Sequence, residues 1–156
     1  MDVDGTLTDG KLYIGANGEE FKAFNIKDGY GIKDILPRYG IIPIIITGRS
    51  SASVTVRSKE IEIQEVYQEI SNKEEKLKEI LEKYNASLEE CAYIGDDCND
   101  VSLISLCGFS GCPADAVPEI KQKADYICSI RGGEGCVREF IYEIIKHNEG
   151  LNGSTL

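Results

Sequence analysis

The chain has 156 residues, 42% apolar and 28% charged, which is the size of one ordinary domain and the balance of a globular one. Its 27 acidic residues against 17 basic ones give a net charge of −10, leaving little from which to build the basic face of a nucleic-acid binder. The longest apolar stretch, Ile41 to Ile46, falls far short of the roughly 20 residues that cross a bilayer, and no export leader opens the chain, so a cytoplasmic protein is expected.

After an acidic opening, Lys11 to Ile14 and Glu19 to Phe24 flank Gly15-Ala16-Asn17-Gly18, a hairpin signal. The spacing then predicts a helix from about Asp28 to Leu36, with Ile32, Ile35 and Leu36 on one face and Pro37 and Gly40 closing it. Ile41 to Ile46 reads as a strand buried on both faces, as parallel strands are. Ser50 or Ser51 caps a short helix, and Ile63 to Tyr67 form a weaker strand. The clearest helix is Asn72 to Tyr84, whose apolar stripe is Leu77, Ile80, Leu81 and Tyr84. Cys91 to Ile94 is another strand, followed by helices at Val101 to Leu106 and Pro118 to Lys123 and short strands at Phe109 and at Tyr126 to Cys128. A glycine-rich loop at Arg131 to Gly135 leads to an amphipathic helix, Val137 to Lys146. Residues 1–146 thus form the domain and 147–156 a flexible polar tail.

Of the six cysteines none forms a CxxC pair, and His147 is the only histidine, so buried reduced thiols are expected and no structural zinc. Strands alternating with helices imply an α/β, Rossmann-like three-layer sandwich with a mostly parallel sheet and a β-hairpin insertion. In such sheets ligands bind beyond the carboxyl ends of the strands.

Polar clusters occupy those positions. In Asp2-Val3-Asp4-Gly5-Thr6, residues two apart share a face of an extended segment, so both carboxylates can address one ligand. Two close carboxylates repel unless a cation lies between them or one holds a proton, and a hard cation such as Mg²⁺ suits oxygen-only surroundings. Thr47-Gly48-Arg49-Ser50 follows the isoleucine strand and offers a hydroxyl, a glycine amide and a helix start, the parts of a phosphate cradle. Gly95-Asp96-Asp97-Cys98-Asn99-Asp100 gathers acidic and amide groups that are costly to assemble without a cation. Each has an ordinary alternative: a turn, a helix cap and a solvated loop. Lys73 at the start of the clearest helix is by position alone an ordinary surface lysine.

Together these motifs resemble the haloacid dehalogenase superfamily, whose DxDGT signature matches Asp2 to Thr6 and whose threonine, lysine and acidic motifs follow in the same order at Thr47, Lys73 and Asp96 with Asp100. More narrowly, Asp2 to Gly10 (DVDGTLTDG), Ile46 to Arg49 (ITGR), Tyr93 to Asp97 (YIGDD) and Gly132 to Glu139 (GGEGCVRE) are similar to the capless 3-deoxy-D-manno-octulosonate 8-phosphate phosphatases, with acylneuraminate 9-phosphate phosphatases as close relatives. Family members carry an apolar strand before the first aspartate. Here only Met1 precedes Asp2, so the resemblance implies residues upstream and a central strand cut almost to nothing.

The resemblance implies Asp2 as nucleophile and Asp4 as general acid and base. It implies Mg²⁺ on Asp2, the Asp4 carbonyl and Asp96, and Thr47, the Gly48 amide and Lys73 around the phosphoryl oxygens. Asp97 and Asp100 are then the groups that orient water ligands and Lys73. For the sugar-acid carboxylate the candidates are Arg49, Arg57, Arg131 and Arg138, Arg138 having a surface pair with Glu134 as its alternative. The spacings Asp4–Thr47 and Arg49–Lys73 are too short for a cap domain. Tyr13, Ile14, Phe21 and Phe24 put more apolar area on the hairpin than a free one keeps exposed, and related capless phosphatases pack such hairpins into a tetramer. A homotetramer is therefore expected, with the tail after Lys146 reaching a neighbour's site. The competing readings are an acylneuraminate 9-phosphate phosphatase, a receiver domain that keeps its phosphoryl group, and a silent assembly domain.

Overall fold

The structure, a computed structural model, describes residues 1–151. Two parallel ladders carry the fold. In the first, β3 (Ile44–Ile46) pairs with β4 (Glu65–Tyr67); in the second, β5 (Ala92–Ile94), β6 (Phe109–Cys112) and β7 (Tyr126–Ile127) lie side by side. The first two residues bridge them. The Met1 amino group donates to the Ile44 carbonyl at 2.8 Å, Ile46 N–H donates to the Met1 carbonyl at 3.0 Å, and Asp2 N–H donates to the Ile94 carbonyl at 3.0 Å. The resulting order is β4-β3-(Met1–Asp2)-β5-β6-β7.

Side chains alternate across this sheet and build a core on each face. Ile45, Val3 and Ile94 join Val54 of α2 (Ala52–Glu60) and Val137, Phe140 and Ile141 of α6 (Cys136–Leu151) on one side. Ile46 and Tyr93 join Leu77, Ile80 and Leu81 of α3 (Lys73–Tyr84), Leu103 of α4 (Val101–Leu106) and Ile120 of α5 (Pro118–Lys121) on the other. Three layers follow from that alternation. The antiparallel hairpin β1 (Tyr13–Gly15) and β2 (Gly18–Phe21) stands apart, with Gly15 opposite Gly18 and the Tyr13 and Phe21 rings stacked at 4.5 Å.

Several boundaries differ from the sequence reading. The helix expected from Asp28 begins as α1 (Ile26–Tyr30), capped by the Asn25 side chain on Lys27 N–H at 2.8 Å. It then loosens to π pitch over Gly31–Ile35 and tightens to 3₁₀ over Leu36–Tyr39, where Pro37 has no N–H to continue the ladder. The strand expected from Ile41 starts only at Ile44, since Pro43 is no donor and Ile42 is 54% exposed. The last helix runs on to Leu151, so residues 147–151 are helical rather than tail. The His147 ring stacks on Phe109 at 4.4 Å and carries the helix past Lys146. The remaining tail, 152–156, lies outside the described residues. Among the described residues no helix is long and apolar enough to cross a membrane.

One buried charge ties α1 to α6. Asp28 Oδ1 accepts from Arg138 N–H at 2.8 Å, while Oδ2 has no partner. Burial pushes the Asp28 carboxyl up to about 6, against the smaller opposing pull of the Arg138 and Val137 amides and the Arg57 and Arg138 charges. Between its ordinary value and about 6 the native state holds a proton that the unfolded chain has released, so stability falls as pH rises through that window. The loss amounts to about 3 kcal/mol once Asp28 is fully ionised. Asp28→Asn removes the titration. Relative to the parent protein its unfolding free energy should climb by about that amount between pH 4 and pH 8, read from urea midpoints; a constant difference would contradict it.

Candidate active site

The carboxyl ends of the central strands open into a cleft of about 380 Å³ walled by Asp2, Asp4, Thr47, Gly48, Arg49 and Asp96. Asp2 leaves the sheet immediately after the bond to Ile94, so its carboxylate is placed by the ladder itself. The chain then turns sharply. Gly5 has φ +90°, and a Cβ there would come within 2.0 Å of Asp96 Oδ2, so glycine is the residue that lets the first acidic loop meet the second. Gly132 plays the same part from behind: a Cβ there would lie 1.9 Å from the Gly5 carbonyl oxygen, and the adjacent Gly133 N–H donates to the Thr6 carbonyl at 3.0 Å. The glycine-rich loop before α6 is thus the back wall of the Asp2–Thr6 loop.

At the cleft floor lies a buried ionic knot. Lys73, brought in by the first turn of α3, donates from Nζ to Asp2 Oδ1 at 2.9 Å and Asp100 Oδ1 at 2.6 Å. Asp100 also accepts from the Tyr93 hydroxyl at 2.6 Å and from Asp96 N–H at 3.1 Å. All its bonds therefore point into the protein, where it orients Lys73 and the Asp96 loop. Burial works against the Lys73 ammonium, but the Asp2 and Asp100 carboxylates outweigh it and hold the amine above its ordinary value. Asp2 is raised, by burial first and the Asp100 charge second, with Lys73 opposing. Asp96 is pushed up to about 8 by burial and by the Asp2 and Asp100 charges.

Oxygens of Asp2, Asp96 and Asp100 all lie within 4.8 Å of one another. An oxygen-only group in which carboxylates crowd one another fits a hard divalent cation. With Asp100 already committed to Lys73 and Tyr93, Asp2 and Asp96 are the side chains that would hold it.

The phosphate-cradle residues follow β3. Thr47 is buried, its N–H bonded to the Tyr67 carbonyl at 2.9 Å and its own carbonyl receiving Ile70 N–H at 3.0 Å, and Gly48 forms the cleft edge beside it. Asp97 faces the same cleft and accepts from Cys98 N–H at 2.7 Å, capping the 3₁₀ turn Cys98–Asp100. Of the arginines only Arg49 reaches the cleft, 3.2 Å from Glu19 and 3.8 Å from Asp4. Arg57 pairs with Glu60 at 2.8 Å, Arg131 with Asp115 at 3.4 Å, and Arg138 lies over the Tyr30 and Tyr142 rings, so the fold of the chain does not bring these three to the cleft.

The structure adds residues that the sequence reading passed over. Tyr93 completes the knot, and Lys22, just past β2, is buried against Asp4 at 2.5 Å and Glu19 at 3.0 Å. The period-two alternation that turns Phe24 toward the core also turns Lys22 inward, which is the signal that would have found it. A second hollow, about 430 Å³, lies beyond Met1 between β3 and β5, but its walls are mainly aliphatic and aromatic.

A family model for haloacid dehalogenase-like hydrolases matches residues 46–140. The chain is 45% identical over 139 residues to the 3-deoxy-D-manno-octulosonate 8-phosphate phosphatase of Escherichia coli, covering 89% of this chain and 73% of that one. The crystal structure of the phosphatase of that name from Yersinia pestis superimposes with a TM-score of 0.90 at 41% identity, covering 99% of this chain and 83% of that one. The corresponding Moraxella catarrhalis structure, in complex with magnesium ion, phosphate ion and KDO, gives a TM-score of 0.89 at 40% identity over 95% of this chain and 85% of that one.

Replacing Lys73 tests the knot directly. Lys73→Met leaves Asp2 and Asp100 buried without their cation, which costs about 3–5 kcal/mol of folding free energy. Urea unfolding at neutral pH in the absence of divalent metal should show that loss, and an unshifted midpoint would mean that the ion pairs contribute nothing.

Proposed function

Because the chain belongs to the haloacid dehalogenase-like hydrolases, we propose that it is a magnesium-dependent phosphomonoesterase that hydrolyses 3-deoxy-D-manno-octulosonate 8-phosphate. The observation that carries this reading is the buried Asp2 carboxylate, held by Lys73 and lining one cleft with Thr47, Gly48 and Asp96. The names of the relatives supply the sugar, and they favour the eight-carbon acid over an acylneuraminate 9-phosphate.

In this mechanism Asp2 attacks phosphorus; the new carboxylate–phosphorus bond forms as the bond to the sugar oxygen breaks. Asp4 hands its proton to the departing alkoxide, and then takes one from the water that hydrolyses the aspartyl-phosphate. Lys73, the Thr47 hydroxyl and the Gly48 amide bind the phosphoryl oxygens, where negative charge accumulates. Asp2 and Asp96, with the Asp4 carbonyl, would hold Mg²⁺, which offsets charge between nucleophile and phosphate when bound. Asp97 and Asp100 keep the metal-facing loop and Lys73 in place. An acid/base two residues from the nucleophile favours turnover, which supports an enzyme over a receiver domain or a silent assembly unit.

We place the enzyme in the cytoplasm as one domain that works as a homotetramer. Leu12, Ile14 and Phe21 of the hairpin are exposed at 46%, 62% and 51%, whereas Phe24 packs on its own subunit's core. That patch is the surface through which four hairpins would associate, each site walled by a neighbour that could bring Arg57 or Arg131 to the sugar carboxylate.

With Mg²⁺ present, Asp2→Asn should keep the fold while phosphate release from octulosonate 8-phosphate drops by at least about 1000-fold, since its nucleophile is gone. Release at near the parent rate would refute the assignment. Chelation of metal should silence the parent enzyme and added Mg²⁺ restore it. Light scattering is expected to give four times the chain mass, and Phe21→Glu with Ile14→Glu should break the assembly; an active monomer of the parent protein would exclude the tetramer.

A further inference from the structure

Lys22 is an ammonium placed where a lysine is costly. Its side chain is 1% exposed, at the point where β2 re-enters the body of the protein, and a buried ammonium survives only when paired. The partners are Asp4 Oδ1 at 2.5 Å and Glu19 Oε2 at 3.0 Å. Glu19 is itself fixed by the Ser51 hydroxyl at 2.6 Å and by Arg49 Nη2 at 3.2 Å. The Ser51 bond first, then those from Lys22 and Arg49, hold the Glu19 carboxyl below its ordinary range. Charges alternate along the line Asp4, Lys22, Glu19, Arg49, and Arg49 returns to Asp4 Oδ2 at 3.8 Å. The line runs from the hairpin to the cleft. It seizes one oxygen of the Asp4 carboxyl and so fixes the rotation of that group. A carboxyl free to turn would spend most of its time aimed away from the oxygen that it must protonate.

We infer that Lys22 is a positioning residue for proton transfer, locking the Asp4 carboxyl so that its other oxygen faces the leaving group. The inference rests on the proposed role of Asp4. It separates Lys22 from a contact with the sugar carboxylate, because the need for a proton depends on the leaving group and not on any carboxylate that the substrate carries. Leaving groups that depart readily as anions need little protonation; alkoxides need it fully.

The test is kcat/KM with Mg²⁺ over phosphate esters that lack a carboxylate, running from p-nitrophenyl through phenyl to a simple alkyl phosphate. This ratio covers the steps up to departure of the alcohol, so the later attack of water does not mask the effect. Lys22→Met should lose about 100-fold on the alkyl ester and about tenfold or less on the p-nitrophenyl ester, the loss growing as the leaving group worsens, with part regained in Lys22→Arg. Glu19→Gln, which loosens Lys22 without removing it, should show a shallower trend of the same sign and serves if Lys22→Met does not fold. Asp4→Asn is the reference. If its loss grows along the series while those of Lys22→Met and Glu19→Gln stay flat, the inference is overturned and Asp4 keeps its role. If Asp4→Asn is itself flat, the reading of Asp4 as the acid is overturned and the inference falls with it.

Discussion

Three backbone hydrogen bonds, from the Met1 amine to Ile44, from Ile46 to Met1 and from Asp2 to Ile94, join the two halves of the sheet, and the chemistry hangs from the same two residues. Here the residue that closes the seam between β3 and β5 is also the residue whose carboxylate faces the cleft.

Electrostatics then determines what the seam can hold. Asp2, Asp96 and Asp100 would not share so small a volume on hydrogen bonds alone, and Lys73 answers only two of them. Asp96 is left without a cation, and burial first, then the Asp2 and Asp100 charges, push its carboxyl up to about 8. A divalent cation removes that repulsion more cheaply than a proton does, because it also serves Asp2. The glycines at 5 and 132 allow the approach by leaving out the one carbon that would collide.

How much of this was legible in the sequence depended on whether the signal was local. The family resemblance of the motifs pointed to Asp2, Asp4, Thr47, Lys73 and Asp96, Lys73 by that resemblance alone, whereas strand–helix alternation gave the layers because it follows from the period of side chains along each element. Apolar character at Ile41 does not tell which residues find a partner; Pro43, which has no N–H to donate, stands just before the strand begins. The change of pitch after Tyr30 was hidden because helix periodicity over ten residues does not distinguish α from π turns. The end of α6 depended on a ring stack between His147 and Phe109, residues 38 apart, which no local pattern contains. Lys22 carries a local signal, the period-two alternation with Phe24, but residue type masks it, since a lysine in a hairpin is ordinarily solvated. The arginines show the limit of residue type alone, for all four candidates have partners within the chain and only Arg49 has them at the cleft.

The contacts that define the cleft are also remote along the chain. Lys73 lies 71 residues from Asp2, Thr6 reaches Asp96 across 90, and the Cys136 thiol donates to the Thr6 carbonyl across 130. Each closes a long loop, and the entropy of closure must be met before the contact gives anything back. The Asp2–Thr6 loop therefore depends on parts of the chain far from it in sequence. It acquires its ligand geometry only when the glycine-rich loop before α6 arrives to back it. A shortened chain ending before that loop would carry Asp2, Asp4, Thr47, Lys73 and Asp96 without the wall behind the Asp2–Thr6 loop, which ties the onset of metal affinity to the completion of folding.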